Sequence, residues 1–168
     1  MNLGLKIALS SRLKKAKKIA LLGVGSVLRG DDAAGIIVAR GLDRFIQKNP
    51  KEKRIKVFIG DTAPENITGE IKKFKPTHII IVDSADIGKP AGAIELIEAD
   101  KIGGVSFSTH QLPLSILADY LIQSLDCQVM VLGIQPKELK FNSKVSLVVK
   151  KSADFCVAKI KEILKEEF

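Results

Sequence analysis

An apolar run, Ile19-Ala20-Leu21-Leu22, passes directly into Gly23-Val24-Gly25-Ser26-Val27-Leu28-Arg29-Gly30-Asp31-Asp32-Ala33-Ala34-Gly35 and leaves it as the amphipathic stretch Gly35 to Leu42. The order strand, glycine-rich turn, helix puts the turn at the carboxyl end of a buried strand, where open α/β sheets build their sites. Gly25 and Gly30 lie inside the turn, where glycine permits backbone geometries that other residues resist. Asp31 and Asp32 fall at the start of the helix. The helix dipole favours negative charge there, so both acids can stay ionised as ligands or as a base.

The rest of the chain repeats this alternation. Ile55-Lys56-Val57-Phe58-Ile59, His78-Ile79-Ile80-Ile81-Val82 and Gln128 to Ile134 read as further buried strands. Helical spacing of apolar residues predicts helices from Asp32 to about Gln47, from about Thr62 to Phe74, and from Pro113 to about Leu125. A last helix has Val145, Val149, Ala153, Cys156, Val157, Ile160, Ile163 and Leu164 on its apolar face, capped by Asn142 or Ser143. Thr62 and Glu65 are spaced as a capping box. Residues 93–98 alternate as an edge strand does, residues 99–110 read as loop, and residues 2–17 read as a short basic amphipathic helix. The expected fold is α/β: a three-layer sandwich with a mostly parallel, five-stranded twisted sheet and helices on both faces. The expected organisation is a single domain over 1–168, with 1–17 as an N-terminal helical extension.

Charged residues are 27% and apolar residues 46% of the 168 positions, a globular rather than a disordered composition. The net charge of +8 raises the question of nucleic acid. The lysines are spread over helix faces, Trp is absent and Tyr occurs once, which argues against a nucleic-acid surface. No apolar run is long enough to span a bilayer, and Lys6 interrupts the N-terminal leucines, so the reading is cytoplasmic with no membrane insertion. Cys127 and Cys156 share no metal spacing and read as buried free thiols. His78, directly before an apolar run, reads as a solvated strand-start residue.

Three places carry polar groups suited to chemistry: Asp31 and Asp32 after the first strand, Asp83 and Asp86 after the third, and His110 ahead of the helix that precedes the last strand. The carboxyl ends of parallel strands share one edge of a sheet, so these groups can converge in space. Carboxylates and an imidazole make a site for a borderline divalent cation with open positions. Each also has a plain structural reading: Asp31 as a cap, Asp83 as a turn former, His110 as a structural histidine, and Glu65 as half of a capping box. The turn is a poor phosphate cradle. Leu28 stands where a dinucleotide fingerprint has its third glycine, no Gly-Lys-Ser/Thr follows, and two acids would face the phosphate. The Ser84 and Ser108 hydroxyls have no base beside them, and no Gly-x-Ser-x-Gly occurs.

The Gly23–Gly35 stretch resembles the opening signature of the hydrogenase maturation endopeptidases, broadly Gly-(Ile/Val)-Gly-Asn-x-Leu-x-Gly-Asp-Asp-Gly-x-Gly. The resemblance continues through Thr62-Ala63-Pro64-Glu65-Asn66, Ile80-Ile81-Val82-Asp83-Ser84-Ala85-Asp86, Pro90-Ala91-Gly92, Ser108-Thr109-His110-Gln111-Leu112-Pro113 and Leu132-Gly133-Ile134-Gln135-Pro136, and covers about residues 18–165. The Ala-Pro-Glu-Asn and Thr-His segments are most similar to the branch that processes hydrogenase-3-type enzymes. Two positions depart from the pattern: the usual Asn is Ser26, and the usual Gly after Asp-Asp is Ala33. Serine keeps a short polar group that can hold the turn, and Ala33 requires a backbone angle open to a non-glycine residue.

The resemblance implies an endopeptidase that removes a C-terminal peptide from the nickel-loaded precursor of a nickel-iron (NiFe) hydrogenase large subunit. It implies nickel, carried by the substrate, as the metal, with Asp32, Asp83 and His110 as ligands. For the hydrolysis, a metal-polarised water or one activated by a carboxylate would serve. Asp32 and Asp83 are the candidate catalytic carboxylates, with Asp32 the candidate base, and Gly25, Gly30, Asp31, Glu65 and Thr109 are read as supporting the turn and the ligands. A monomer is favoured. Two other readings compete: a nickel-sensing chaperone of the large subunit that does not cut, and an unrelated α/β enzyme acting on a small anionic molecule.

Overall fold

The computed structural model describes residues 3–50, 52–107 and 112–167. Its elements are α1 (Leu3–Leu13), β1 (Ile19–Val24), α2 (Ala34–Gln47), β2 (Ile55–Asp61), α3 (Thr68–Phe74), β3 (His78–Asp86), β4 (Ile94–Glu98), β5 (Ser106–Phe107), α4 (Leu114–Leu125), β6 (Gln128–Ile134) and α5 (Leu147–Glu167). Short 3-10 turns precede α2 (Gly30–Ala33) and α3 (Pro64–Ile67), and a third spans Ala99–Gly104.

The main sheet runs β2-β1-β3-β6-β4. The pairs β1–β2, β1–β3 and β3–β6 are parallel, and β4 joins the edge antiparallel to β6. The five expected strands are therefore present. A sixth, the two-residue β5, pairs antiparallel with Ala85 and Asp86 at the end of β3. Two residues carry no readable periodicity, so that segment passes for loop in the sequence.

Side chains alternate across the strands and split the core into two layers. Ile19, Leu21, Ile80, Val82, Met130 and Leu132 face α1, α2 and α5. Ala20, Leu22, Ile79, Ile81, Val129 and Val131 face α3 and α4. The N-terminal helix belongs to the first layer, with Leu9 and Leu13 buried there. Its rim is pinned by Lys6 to Glu166 (2.7 Å) and Arg12 to Glu98 (2.6 Å).

Two expectations about local structure are corrected. His78 is buried, 4% exposed, rather than solvated. Its Nδ1 lies 3.0 Å from the Thr77 hydroxyl, and burial pushes its pKa below the usual histidine value. The last helix starts at Leu147 instead of near Asn142. Its cap is Ser146, whose Oγ accepts the Val149 N–H at 3.4 Å. Asn142 has a φ of 57°, and the chain turns there before the helix begins. Val145 lies ahead of the helix but still packs on the core.

The decisive packing contact is at Gly35, in the first turn of α2. A Cβ at this position would overlap the carbonyl oxygens of Val24, the last residue of β1, and Val82, the last residue of β3 paired with β1. Glycine lets the helix start sit directly on the strand ends. Gly35→Ala is expected to lower the unfolding free energy by about 2 kcal/mol or more, since it overpacks against backbone. Gly69→Ala, at an open site in α3, is expected to cost nothing or to stabilise by about 0.5 kcal/mol. Paired thermal or urea unfolding of the two variants checks both.

Candidate active site

Strand β1 ends its pairing with β3 at Gly23–Val82, while β3 continues to Asp86 beside β6. Asp83 is therefore inside a strand and does not end one, as the sequence reading had it. It is the first residue of β3 beyond its pairing with β1. The β1 chain leaves toward α2 and β2 on one side of the sheet, and β3 lies on the other side of β1. The gap between β1 and β3 is thus the topological switch point, where α/β sheets hold ligands.

Asp32 hangs over this gap. It lies in the 3-10 turn that precedes α2, and that turn contacts β3. Its side chain is 1% exposed, and Oδ2 accepts the Ser26 N–H at 3.1 Å. Gly25, with a φ of 132°, permits the fold-back, because a Cβ there would overlap the Asp32 carbonyl oxygen. The Gly25 N–H is held by the Asp61 carbonyl at 2.9 Å. Asp83 is fully buried, and its Oδ1 accepts the Ser84 N–H at 2.7 Å. By strand alternation it shares a face with Ile79 and Ile81, the α4 side of the sheet.

His110 and Thr109 lie outside the described residues. On either side of residues 108–111, Phe107 and Leu112 pack on the layer beneath α4. Among the described residues no group of three His, Cys, Asp or Glu side chains is gathered as a metal site.

The departures at Ser26 and Ala33 leave the turn intact. Ser26 Oγ accepts the Leu28 N–H at 3.2 Å, the short-range bond a side-chain acceptor makes at such a turn. Ala33 has a φ of −71° and a ψ of −5°, ordinary for any L-residue.

Asp31 and Asp32 do different work. Asp31 makes no cap bond to its own helix; it caps a distant loop. Fully buried, it accepts the Lys137 N–H (2.8 Å), the Glu138 N–H (3.1 Å) and the Ser146 hydroxyl (2.9 Å) on Oδ2, and the Ser146 N–H (2.6 Å) on Oδ1. Its own N–H donates to the Glu138 carbonyl at 3.0 Å. Gly30, with a φ of 55°, packs against Ser143 and the Glu138 carbonyl. No local signal in the sequence announces this 106-residue partnership.

Asp86 is not brought to the gap. It is exposed, and its Oδ1 accepts from Gly88 N–H (3.2 Å) and Gln135 Nε2 (3.2 Å). Gln135 in turn accepts the Ile87 N–H at 2.8 Å, so Gln135 shapes the β3–β4 loop. Glu65 forms no capping box: the turn it occupies has Ala63 at its N-cap and no side-chain cap bond. It follows β2, next to β1, so it stands on the same edge of the sheet. Its Oε2 is buried without a hydrogen-bond partner among the described residues, an arrangement that calls for an incoming donor or cation. The two cysteines are free and buried, and burial pushes Cys127 up to about 11 and Cys156 to about 12, which leaves neither as a nucleophile.

The match to known proteins extends this picture. A family model for hydrogenase maturation protease matches residues 38–163. A Methanocaldococcus jannaschii protein assigned to hydrogenase maturation is 39% identical over 165 residues, covering 96% of this chain and 97% of its own length. The hydrogenase 3 maturation protease of Escherichia coli is 34% identical over 135 residues, covering 80% of this chain and 83% of its own. The crystal structure of a NiFe hydrogenase maturation protease from Thermococcus kodakarensis superposes with a TM-score of 0.85 at 30% identity, covering 94% of this chain and 99% of that one. Fold, site and relatives together define a peptidase built on a three-layer α/β sandwich. The chain belongs to the hydrogenase maturation protease family.

Asp31→Asn should loosen the 137–146 loop, because the amide presents N–H donors where the loop also presents donors. A loss of about 2 kcal/mol is expected from the unfolding free energy. Faster amide exchange at Lys137, Glu138 and Ser146, with β1 and β3 unaffected, is the measurement that checks it.

Proposed function

We propose that this chain is an endopeptidase that removes a C-terminal peptide from the nickel-loaded precursor of a NiFe hydrogenase large subunit, working in the cytoplasm as a monomer. The observation that carries the reading is the pair of buried carboxylates, Asp32 and Asp83, on either side of the β1–β3 gap in a chain of this family. Buried carboxylates fit a partner that brings positive charge, since burial makes their charge costly. Nickel bound in the precursor is such a partner, and a set of carboxylates and an imidazole suits it. Asp32, Asp83 and His110 would hold it, and the precursor's C-terminal segment would then lie across the gap. Three ligands with open positions imply weak binding that the substrate completes.

In the hydrolysis itself, Asp32 takes a proton from the attacking water. The water oxygen bonds to the scissile carbonyl carbon, the C–N bond breaks, and the proton passes to the leaving amine. Ser26 N–H holds Asp32 in place for this role, at 3.1 Å. The metal carried by the substrate supplies positive charge close to the reacting carbonyl. The products are a new C-terminal carboxylate and a free peptide with an amino terminus.

The test is incubation with nickel-loaded and nickel-free precursor, read as mass loss at the precursor C-terminus. Cleavage of the loaded form alone is expected. Binding without cleavage would favour the chaperone reading, and thermal protection by a phosphate or nucleotide instead of precursor would favour the small-anion enzyme. Asp32→Asn should abolish cleavage while leaving the thermal midpoint near that of wild type; full processing by this variant would remove Asp32 from the chemistry.

A further inference from the structure

The outer side of the Asp32 turn is apolar and open. Val27 is 49%, Leu28 58% and Phe141 69% exposed. They come from two distant loops, and the Asn142 N–H, donating to the Leu28 carbonyl at 2.7 Å, brings them together. Isolated exposed apolar side chains are ordinary, but a joined patch beside a site marks an interaction surface.

This patch is held rather than floppy. Ser26 Oγ fixes the Leu28 N–H, and the buried Asp31 carboxylate fixes the loop that carries Phe141 at both of its ends, Lys137–Glu138 and Ser146. Ordering a loop costs conformational entropy. Here a buried acid holds that loop in a form that leaves Phe141 in water. The patch is also continuous with the candidate site: Ser26 N–H holds Asp32, and the next two residues are Val27 and Leu28. A protein seated on Asp32 must lie against them. Between residues 137 and 144 the chain has Lys137, Lys140 and Lys144 against Glu138 alone, so the rim is cationic.

We propose that Val27, Leu28 and Phe141, rimmed by Lys137, Lys140 and Lys144, dock the folded body of the precursor through an apolar, acid-flanked face on that protein. This rests on the precursor being the substrate, as proposed above. Docking there sets the distance from the precursor's body to the β1–β3 gap, so only a C-terminal tail that can span it is cut.

The experiment measures precursor binding and cleavage separately, on the full chain. Leu28→Ser/Phe141→Ser is expected to raise Kd and KM for the nickel-loaded precursor about tenfold to a hundredfold, as loss of apolar anchors does. Lys140→Glu/Lys144→Glu should raise both less, and its effect should shrink with added salt. Ile7→Ser/Ile116→Ser, at exposed apolar positions on α1 and α4, should change neither. The altered side chains are exposed, so thermal midpoints should hold and confirm folding. Wild-type Kd and KM in the Leu28/Phe141 variant would overturn the docking surface, as would an isolated chain that is a dimer which this variant dissociates. Wild-type binding without cleavage, lost in the same variant, would keep the docking surface and overturn the endopeptidase reading instead.

Discussion

The site depends on one close approach, the seating of the α2 start on the ends of β1 and β3 at Gly35. A parallel sheet leaves a gap where neighbouring strands send their connections to opposite sides. In this chain the gap would be filled by solvent or by side chains if α2 stood off by the width of a methyl group. Gly35 removes that methyl, so the backbone meets the carbonyl oxygens of Val24 and Val82. The turn before the helix is thereby pressed over the gap, and Asp32 is its contribution. Asp83 comes from the other wall only because β3 outruns β1 by a few residues.

Two adjacent acids at a helix start invite a single explanation, yet they serve opposite ends of the problem. Asp31 turns away from the gap and is consumed by N–H and O–H donors from one loop. A buried carboxylate satisfied in this way is a strong organiser, because removing it strands several donors. Asp32 lies over the gap, where its Oδ2 accepts the Ser26 N–H. The same two-residue segment thus fixes the outer loop and supplies the inner acid. That coupling joins the docking patch to the site: the loop bearing Phe141 is positioned by the residue next to Asp32.

Most of the sheet was legible because its strands are fully apolar and its helices strongly amphipathic, signals that depend on local spacing alone. His78 misled because it stands at the boundary of such a run, where local sequence does not tell which side faces water. The candidate acids were legible as residue types at strand ends. Asp83 was misplaced by position only, since nothing local shows that β3 extends further than β1. The roles of Asp31, Gln135 and Ser146 were not legible, because each acts through partners far along the chain or through a helix start shifted by a few residues. Glu65 had a local explanation, the capping box, that the backbone does not use. Its buried oxygen is a better reason for a glutamate there.

These features converge on a site at the β1–β3 gap that holds two buried acids. Asp32 and Asp83 are both buried, whereas surface cations such as Lys6, Arg12 and Lys89 pair with Glu166, Glu98 and Glu95 at the rim. The desolvation of buried carboxylates is a cost that a cation brought by a partner can offset. Under the proposed function, a site to which the substrate brings its metal would couple cleavage to the state of that substrate. The proposed docking patch beside it would add recognition of the precursor itself, and the two requirements would multiply, since affinity from separate contacts on one partner combines when both can be met at once.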